Sequence, residues 1–269
     1  MLPFLKWPGG KRWFIQRNAH LLPTTYKGYI EPFLGGVAVY FYLQPKEAIL
    51  GDLNPELITA YRGVKSDWQR LEQLLNRHQV LHSDAHYYAT RSQVPTDLIE
   101  QAARMIYLNR TCFNGIYRVN VKGEFNVPKG SKSTVILAGE SFKAFARILQ
   151  GAELYCTDFE ELIDRAGESD LVFADPPYTV RHNNNGFIKY NEKLFTWEDQ
   201  ERLARALARA HNRGAQIVST NANYGLLREI YHSYGFHLLD VSRFSPISAK
   251  SGSRRNFEEL IILSNPPKI

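Results

Sequence analysis

Asp175-Pro176-Pro177-Tyr178 closes an apolar run, Asp170-Leu171-Val172-Phe173-Ala174, that reads as a buried parallel strand. Those four residues suit a flat amino group bonded to an aromatic ring, such as the exocyclic nitrogen of adenine. Such a nitrogen is a poor nucleophile because its lone pair is spread into the ring, and its protons must be drawn out of conjugation. A carboxylate and a backbone carbonyl, both acceptors, do this together. Asp175 supplies the first and Pro176 the second, while Pro176 and Pro177 stiffen the turn and push the residue before each away from helical geometry. Tyr178 then offers a ring face on which a planar base can stack. Taken alone, the same word also fits a plain strand-to-loop turn in which Asp caps and Tyr packs.

The elements that must position this chemistry alternate in type. Tyr29-Ile30-Glu31-Pro32-Phe33-Leu34-Gly35-Gly36-Val37 reads as a short strand entering a glycine turn, and Ala38 to Leu43 follows with helical length. A turn of this kind lets the backbone approach a bound nucleoside closely. One strand later, Ala48-Ile49-Leu50-Gly51 ends in Asp52, where doubly wound sheets often carry an acid for ribose hydroxyls. Asp52-Leu53-Asn54-Pro55 can equally be a helix cap. The turn lacks the G-x-G-x-x-G spacing, and no G-x-x-x-x-G-K-[ST] occurs, so hydride transfer and phosphate cradling both lose support.

Strands are expected near 28 to 32, 47 to 51, 153 to 158, 170 to 174, 215 to 220, 236 to 241 and 257 to 263. Helices at 55 to 64, 197 to 212 and 224 to 234 fall between them. This is the pattern of an α/β chain with a mostly parallel twisted sheet. Between about 60 and 150 the alternation fails, and helical, polar text such as Trp68 to Gln79 and Asp97 to Asn109 reads as an inserted lobe. Within it, Asn114-Gly115 is a hairpin-turn signal followed by short extended segments from Ile116 to Val127. A β-hairpin is slim enough to enter a DNA major groove.

Five words in order carry a resemblance: Phe4-Leu5-Lys6-Trp7-Pro8-Gly9-Gly10-Lys11, Glu31-Pro32-Phe33-Leu34-Gly35-Gly36, Asp52-Leu53-Asn54, Tyr107-Leu108-Asn109-Arg110-Thr111-Cys112-Phe113-Asn114-Gly115, and Asp175-Pro176-Pro177-Tyr178. With Ser251-Gly252-Ser253-Arg254-Arg255-Asn256-Phe257-Glu258-Glu259-Leu260-Ile261, they make the chain resemble Dam-type DNA adenine-N6 methyltransferases of the D12 class, over nearly its whole length. The resemblance implies a Rossmann-like class I methyltransferase fold. A catalytic, S-adenosyl-L-methionine-binding domain would be built from residues 1–59 and 150–269, and a DNA target-recognition domain from 60–149. It also implies methyl transfer to adenine N6 in double-stranded DNA, with Asp175, Pro176, Pro177 and Tyr178 as the catalytic word. Trp7, Lys11, Glu31, Phe33, Gly35, Asp52 and Asp175 would contact the cofactor. Asp158 stands where related enzymes present an acid to the cofactor's adenine amino group, with Phe159 beside that ring; a strand end with a helix cap is the other reading of this pair. The family carries a further glycine where this chain has Val37, which bears on the methionine end of the cofactor.

For DNA, the resemblance implies that Phe113 wedges into the base stack while Asn114, Ile116, Arg118, Asn120 and Pro128 face bases or position the hairpin. Arg118 is matched to a guanine, because its planar fork fits the two acceptors on that base's major-groove edge. Lys6 would serve the outer guanine. These positions match GATC-reading members, with Ile116 in place of a usual leucine. Phe187 and Tyr190 would belong to a loop closing over the everted base.

Composition agrees with this reading. A chain of 269 residues with 44% hydrophobic content can bury a large core. A net charge of +6 favours a polyanionic partner, and two basic stretches suit phosphate contact: Lys122, Lys129 and Lys132, and Lys250, Arg254 and Arg255 with Ser251 and Ser253. No apolar segment approaches the roughly 20 residues needed to span a bilayer, and Met1 to Lys11 lacks a secretory apolar region. Cytoplasmic residence without a membrane contact is therefore expected. Cys112 and Cys156 show no metal-ligand spacing, so reduced thiols and no metal are expected; the protein is expected to act as a monomer. An RNA or protein amino-methyltransferase, and a non-catalytic DNA-binding relative, stay open as alternatives.

Overall fold

The computed structural model describes residues 1–120, 122–178, 195–244 and 256–266. In chain order, the elements used below are α1 (Arg12–Asn18), β1 (Tyr29–Glu31), α2 (Ala38–Leu43), β2 (Ala48–Gly51), α3 (Pro55–Ser66), α4 (Trp68–Leu81), α5 (Asp84–Ser92) and α6 (Leu98–Thr111). They continue with α7 (Phe142–Leu149), β3 (Ala152–Tyr155), α8 (Phe159–Ile163), β4 (Leu171–Ala174), α9 (Trp197–Asn212), β5 (Gln216–Ala222), α10 (Gly225–Ser233), β6 (His237–Phe244) and β7 (Asn256–Leu263). The chain is α/β with a seven-stranded, mostly parallel sheet. By contacts it divides into two compact units, Met1–Arg17 with Leu34–Thr157, and Asn18–Phe33 with Asp158–Ile269. The segment 60–149 expected to read DNA lies wholly within the first.

In the first unit, β2 and β3 pair in parallel from Ala48 with Ala152 to Gly51 with Tyr155. Asn54 starts α3, its side chain accepting the N–H groups of Glu56 (3.0 Å) and Leu57 (3.2 Å). Pro55 sits in the first turn, where a missing N–H costs nothing. The cap is thus Asn54, which leaves Asp52 for other work. α3 lies close against α6: a Cβ at Gly63 would fall 2.3 Å from that of Ala102, so a side chain there would force the helices apart. Two side chains of α3 also reach the outer margin of the sheet, Lys65 donating to the Ala152 carbonyl and Arg62 to that of Leu154, both at 2.7 Å. Arg110, buried in α6, pairs with Glu140 and donates to the Phe4 carbonyl at 2.9 Å, tying the amino-terminal segment to the helix.

In the second unit, β1, β4 and β5 run parallel, and β7 and β6 continue the order antiparallel. Every residue of β4 is buried, as a central parallel strand covered on both faces requires, which is why its sequence is an unbroken apolar run. α9 opens on a reciprocal cap between Thr196 and Asp199 and buries Leu203, Ala206, Leu207 and Ala210 along one face. All seven expected strands are present. β3 ends at Tyr155 rather than 158, because the chain turns there toward the cap of α8. α5 and α7 were not singled out by the sequence pattern; each follows a serine whose side chain caps it, Ser83 and Ser141.

Candidate active site

In the second unit, Asp175 follows β4 at its carboxyl end, and three successive residues of the neighbouring strand β5 hold the chain there. Ser219 donates to the Ala174 carbonyl at 2.8 Å, and Thr220 donates to Asp175 Oδ1 at 2.9 Å. Asn221 donates to Gln200 Oε1 at 2.9 Å, and Gln200 donates onward to the Pro177 carbonyl at 3.3 Å. Ser219, Thr220, Asn221 and Gln200 are fully buried, so these bonds act with little competition from water. Tyr178 donates its hydroxyl to Glu259 Oε2 on β7 at 2.9 Å. Burial pushes the Tyr178 phenol well above its usual value, and the Asp175 and Glu259 charges push it the same way. It therefore stays a protonated donor, with its ring fixed by the tether. The result is a stiff loop presenting one carboxylate beside an anchored aromatic ring.

Also in this unit, buried Glu31 accepts the Tyr29 hydroxyl at 2.7 Å. Phe33 stacks on Phe159 with centroids 5.3 Å apart, and Phe195 meets Phe33 edge-on at 5.6 Å. Asp158 caps α8 by accepting the Glu160 N–H at 2.9 Å, and it pairs with Arg202 at 2.6 Å. The Arg202 guanidinium in turn lies 4.5 Å from the Phe159 centroid.

In the first unit, the glycine turn and Asp52 form a second arrangement. The Gly35 N–H donates to Asp52 Oδ2 at 3.2 Å, the Asn54 N–H donates to Oδ1 at 2.9 Å, and Tyr61 donates to the Gly35 carbonyl at 3.1 Å. Burial pushes the Asp52 carboxyl above its ordinary value, against the pull of those two N–H groups. Gly35 has φ of +46°, and Val37 at the start of α2 is also left-handed, with φ of 46° and ψ of 40°. A β-branched residue in that region is strained. Lys11 is buried and donates to the Gly9 carbonyl at 2.8 Å. Trp7 stacks against Tyr117, with ring centroids 5.2 Å apart and planes at 28°.

Lys6 is pinned through its backbone by the fully buried Asn109, which accepts from its N–H at 2.9 Å and donates to its carbonyl at 2.8 Å. Hydrogen bonding to Lys132, then burial, then the Lys132 charge lower the Lys6 ammonium to about 8. The extended segments after Phe113 do form a hairpin, but its tip is not at Asn114-Gly115. The Gly123 N–H donates to the Asn120 carbonyl at 3.0 Å, and the Asn120 side chain accepts from Lys122 and Glu124. Asn114 and Gly115 instead take successive positive φ values, 58° and 65°, in the turn that ends α6 and leaves Phe113 exposed. Asn-Gly satisfies any turn needing two left-handed residues, and here that turn is a helix exit. On the hairpin, Arg118 donates to Asn126 across the two arms at 2.9 Å, Asn120 shapes the tip, Pro128 is exposed and Ile116 is half-buried. Phe187, Tyr190, Lys250, Ser251, Ser253 and Arg254 lie outside the described residues.

Among the described residues, no cluster of His, Cys, Asp or Glu is placed to hold a metal ion. None of the described helices is long and apolar enough to cross a membrane. Both cysteines are free thiols. Thr220, Gln200 and Asn221 are not marked by the sequence pattern, and Glu259 is named there only within the stretch from Ser251 to Ile261. The signal was there in part, as the polar triplet Ser219-Thr220-Asn221 follows the apolar pair Ile217-Val218 within one strand.

The family model of D12 class N6 adenine-specific DNA methyltransferases matches residues 7–247. Type II methyltransferase M1.LlaDCHI of Lactococcus lactis subsp. cremoris is 35% identical over 97% of this chain and 94% of its own length. Type II methyltransferase M.MjaIII of Methanocaldococcus jannaschii is 34% identical, over 97% and 98%. The DNA adenine methylase of Escherichia coli is 32% identical, over 98% and 95%.

Proposed function

We propose, for a chain that belongs to the D12 class N6 adenine-specific DNA methyltransferase family, that the methyl donor is S-adenosylmethionine and that the target is the adenine of GATC in duplex DNA. The observation that carries the reading is the Asp175 carboxylate at the end of β4, fixed by Thr220 beside the anchored Tyr178. The donors and acceptors present suit the cofactor. Asp52 is an acceptor for hydroxyl groups beside a close-approaching glycine turn, and Lys11 is a buried ammonium suited to a carboxylate. Trp7, Lys11, Gly35 and Asp52 are proposed as its contacts, as are Glu31, Phe33, Asp158, Phe159 and Asp175. When bound, S-adenosylmethionine supplies an electrophilic methyl group on a sulfonium sulfur.

The target adenine must leave the stack, since its nitrogen cannot meet a donor while paired. Tyr178 then offers its ring to the everted base. Asp175 and the Pro176 carbonyl accept the two amino hydrogens, which localises the lone pair on nitrogen and opposes the positive charge that develops there. Asp175 need not be a strong base, because the nitrogen loses its proton readily once it carries four substituents. No covalent enzyme intermediate is required. Residues 60–149 are proposed to read the site, with Phe113 as the wedge, Asn114, Ile116, Asn120 and Pro128 positioning the hairpin, Arg118 bidentate to a guanine and Lys6 at the outer guanine.

Tritium transfer to duplex DNA, ribosomal RNA and protein, followed by modification-sensitive sequencing of DNA from cells expressing the chain, tests this. N6-methyladenine at GATC is expected. Methylation confined to another sequence would remove the GATC assignment, and label entering RNA alone would remove the reading itself.

A further inference from the structure

We infer that Tyr117 is a positioning residue that couples the Trp7 motif to the DNA-reading hairpin, so that cofactor and DNA bind cooperatively. Tyr117 stands beside Arg118 on the first arm of the hairpin and lies against the Trp7 indole at 5.2 Å. Its hydroxyl donates to Glu56 Oε2 at 2.7 Å, and the other oxygen of that carboxylate accepts from Arg104 at 2.9 Å. Arg104 is buried in α6, and its planar fork is fixed further by the carbonyls of Thr90 at 2.9 Å and Arg91 at 2.8 Å, near the end of α5. From the same helix, Tyr87 and Arg91 donate to the Val127 carbonyl at 3.0 and 3.3 Å, on the returning arm of the hairpin. Both arms are thus tied to one buried guanidinium.

The consequence is mechanical. A tilt of the hairpin against α5 and α6 must either break the Tyr117–Glu56 bond or drag the Tyr117 ring across Trp7. A ligand that fixes Trp7 therefore favours one hairpin setting, and DNA that fixes the hairpin favours one setting of Trp7, by the same factor in each direction. The inference rests on the proposed contact between Trp7 and the cofactor.

Its test is calorimetry of the full chain with S-adenosylhomocysteine, which cannot turn over, with and without a duplex carrying the sequence found methylated. The duplex should tighten S-adenosylhomocysteine by about 5-fold or more in the native chain. Tyr117→Phe, which keeps the ring and loses the Glu56 bond, should cut that ratio to less than half. Tyr117→Leu should bring it to one. General loosening of the fold would weaken both affinities and leave their ratio alone, so the ratio separates coupling from damage. A native ratio of one, or native ratios in both Tyr117 variants, overturns the coupling. Trp7→Leu reports separately on the underlying contact. If it binds S-adenosylhomocysteine as the native chain does, the Trp7 assignment and the coupling fall together; if it binds weakly while both Tyr117 variants keep the native ratio, only the coupling falls.

Discussion

Asp52 and Asp175 each follow the carboxyl end of a parallel strand, β2 in one unit and β4 in the other, yet they are held by different kinds of partner. Asp52 is gripped by main-chain N–H groups, those of Gly35 and Asn54. Asp175 accepts a hydrogen bond from a side chain, the Thr220 hydroxyl. A carboxylate set by the backbone is placed by the path of the chain and survives most substitutions around it. One held in part by a side chain can be adjusted through a replaceable residue of the next strand. The proposed binding acid is therefore robust and the proposed reactive acid is adjustable.

The comparison can be broken most decisively at Asp175. Asp175→Ala should lower kcat by at least about 10²–10³-fold, the range for losing one preorganised polar group at a reacting centre, while duplex affinity stays within about two-fold of native. Single-turnover methylation and a gel-shift titration measure the two; turnover near the native rate would exclude a role for this carboxylate. Thr220→Val should cost kcat roughly ten-fold or more, since a hydrogen bond to a charged group contributes about 1.5–3 kcal/mol. Thr220→Ser should restore most of the rate, and a valine variant with native kcat would show that the hydroxyl does not tune Asp175.

Asp52 should reveal its setting through pH. Its folded value is raised above the ordinary 3.8, chiefly by burial. The folded chain thus holds this proton more tightly than the unfolded one. The stability contributed by Asp52 is present below 3.8 and is lost as pH rises through the raised folded value. Cofactor affinity should move oppositely, falling on acidification at a pH above that of an ordinary carboxylate, with the limb absent in Asp52→Asn. A titration in which both chains show the same acid limb would contradict this.

The smallest effect is expected at Val37. Its left-handed backbone costs about 1–3 kcal/mol, and its buried side chain contributes about 1.5–3 kcal/mol. Val37→Gly removes both, so urea denaturation should show a change within about 2 kcal/mol of zero. A loss of several kcal/mol would mean that the turn carries no strain at Val37.

What was legible in the amino-acid text follows the same divide. β4 could be read because a buried parallel strand is a short apolar run, as Leu171 to Ala174 illustrates, and Asp52 and Asp175 could be read because each follows such a run. The partners of Asp52 are two and seventeen residues away in the chain, in a turn already marked by glycine. Those of the Asp175–Tyr178 loop are not local: Thr220 is 45 residues from Asp175, and Glu259 is 81 from Tyr178. Only the pairing of β4, β5 and β7 brings them together, and no spacing announces it. The hairpin tip was misplaced for a different reason, since Asn114-Gly115 is the stronger local turn signal and the Asn120 side-chain bonds that close the tip depend on Glu124 across the turn.

The lysine and arginine that reach from α3 onto β3 have a consequence for life in a crowded solution. A sheet margin with open carbonyls is a template on which a stranger's extended segment can register and grow. Lys65 and Arg62 already satisfy the two outward oxygens of this margin, and their charge repels a second copy of the same basic chain. Two carbonyls of the border are thus occupied by residues that belong to the helix and not to the strand.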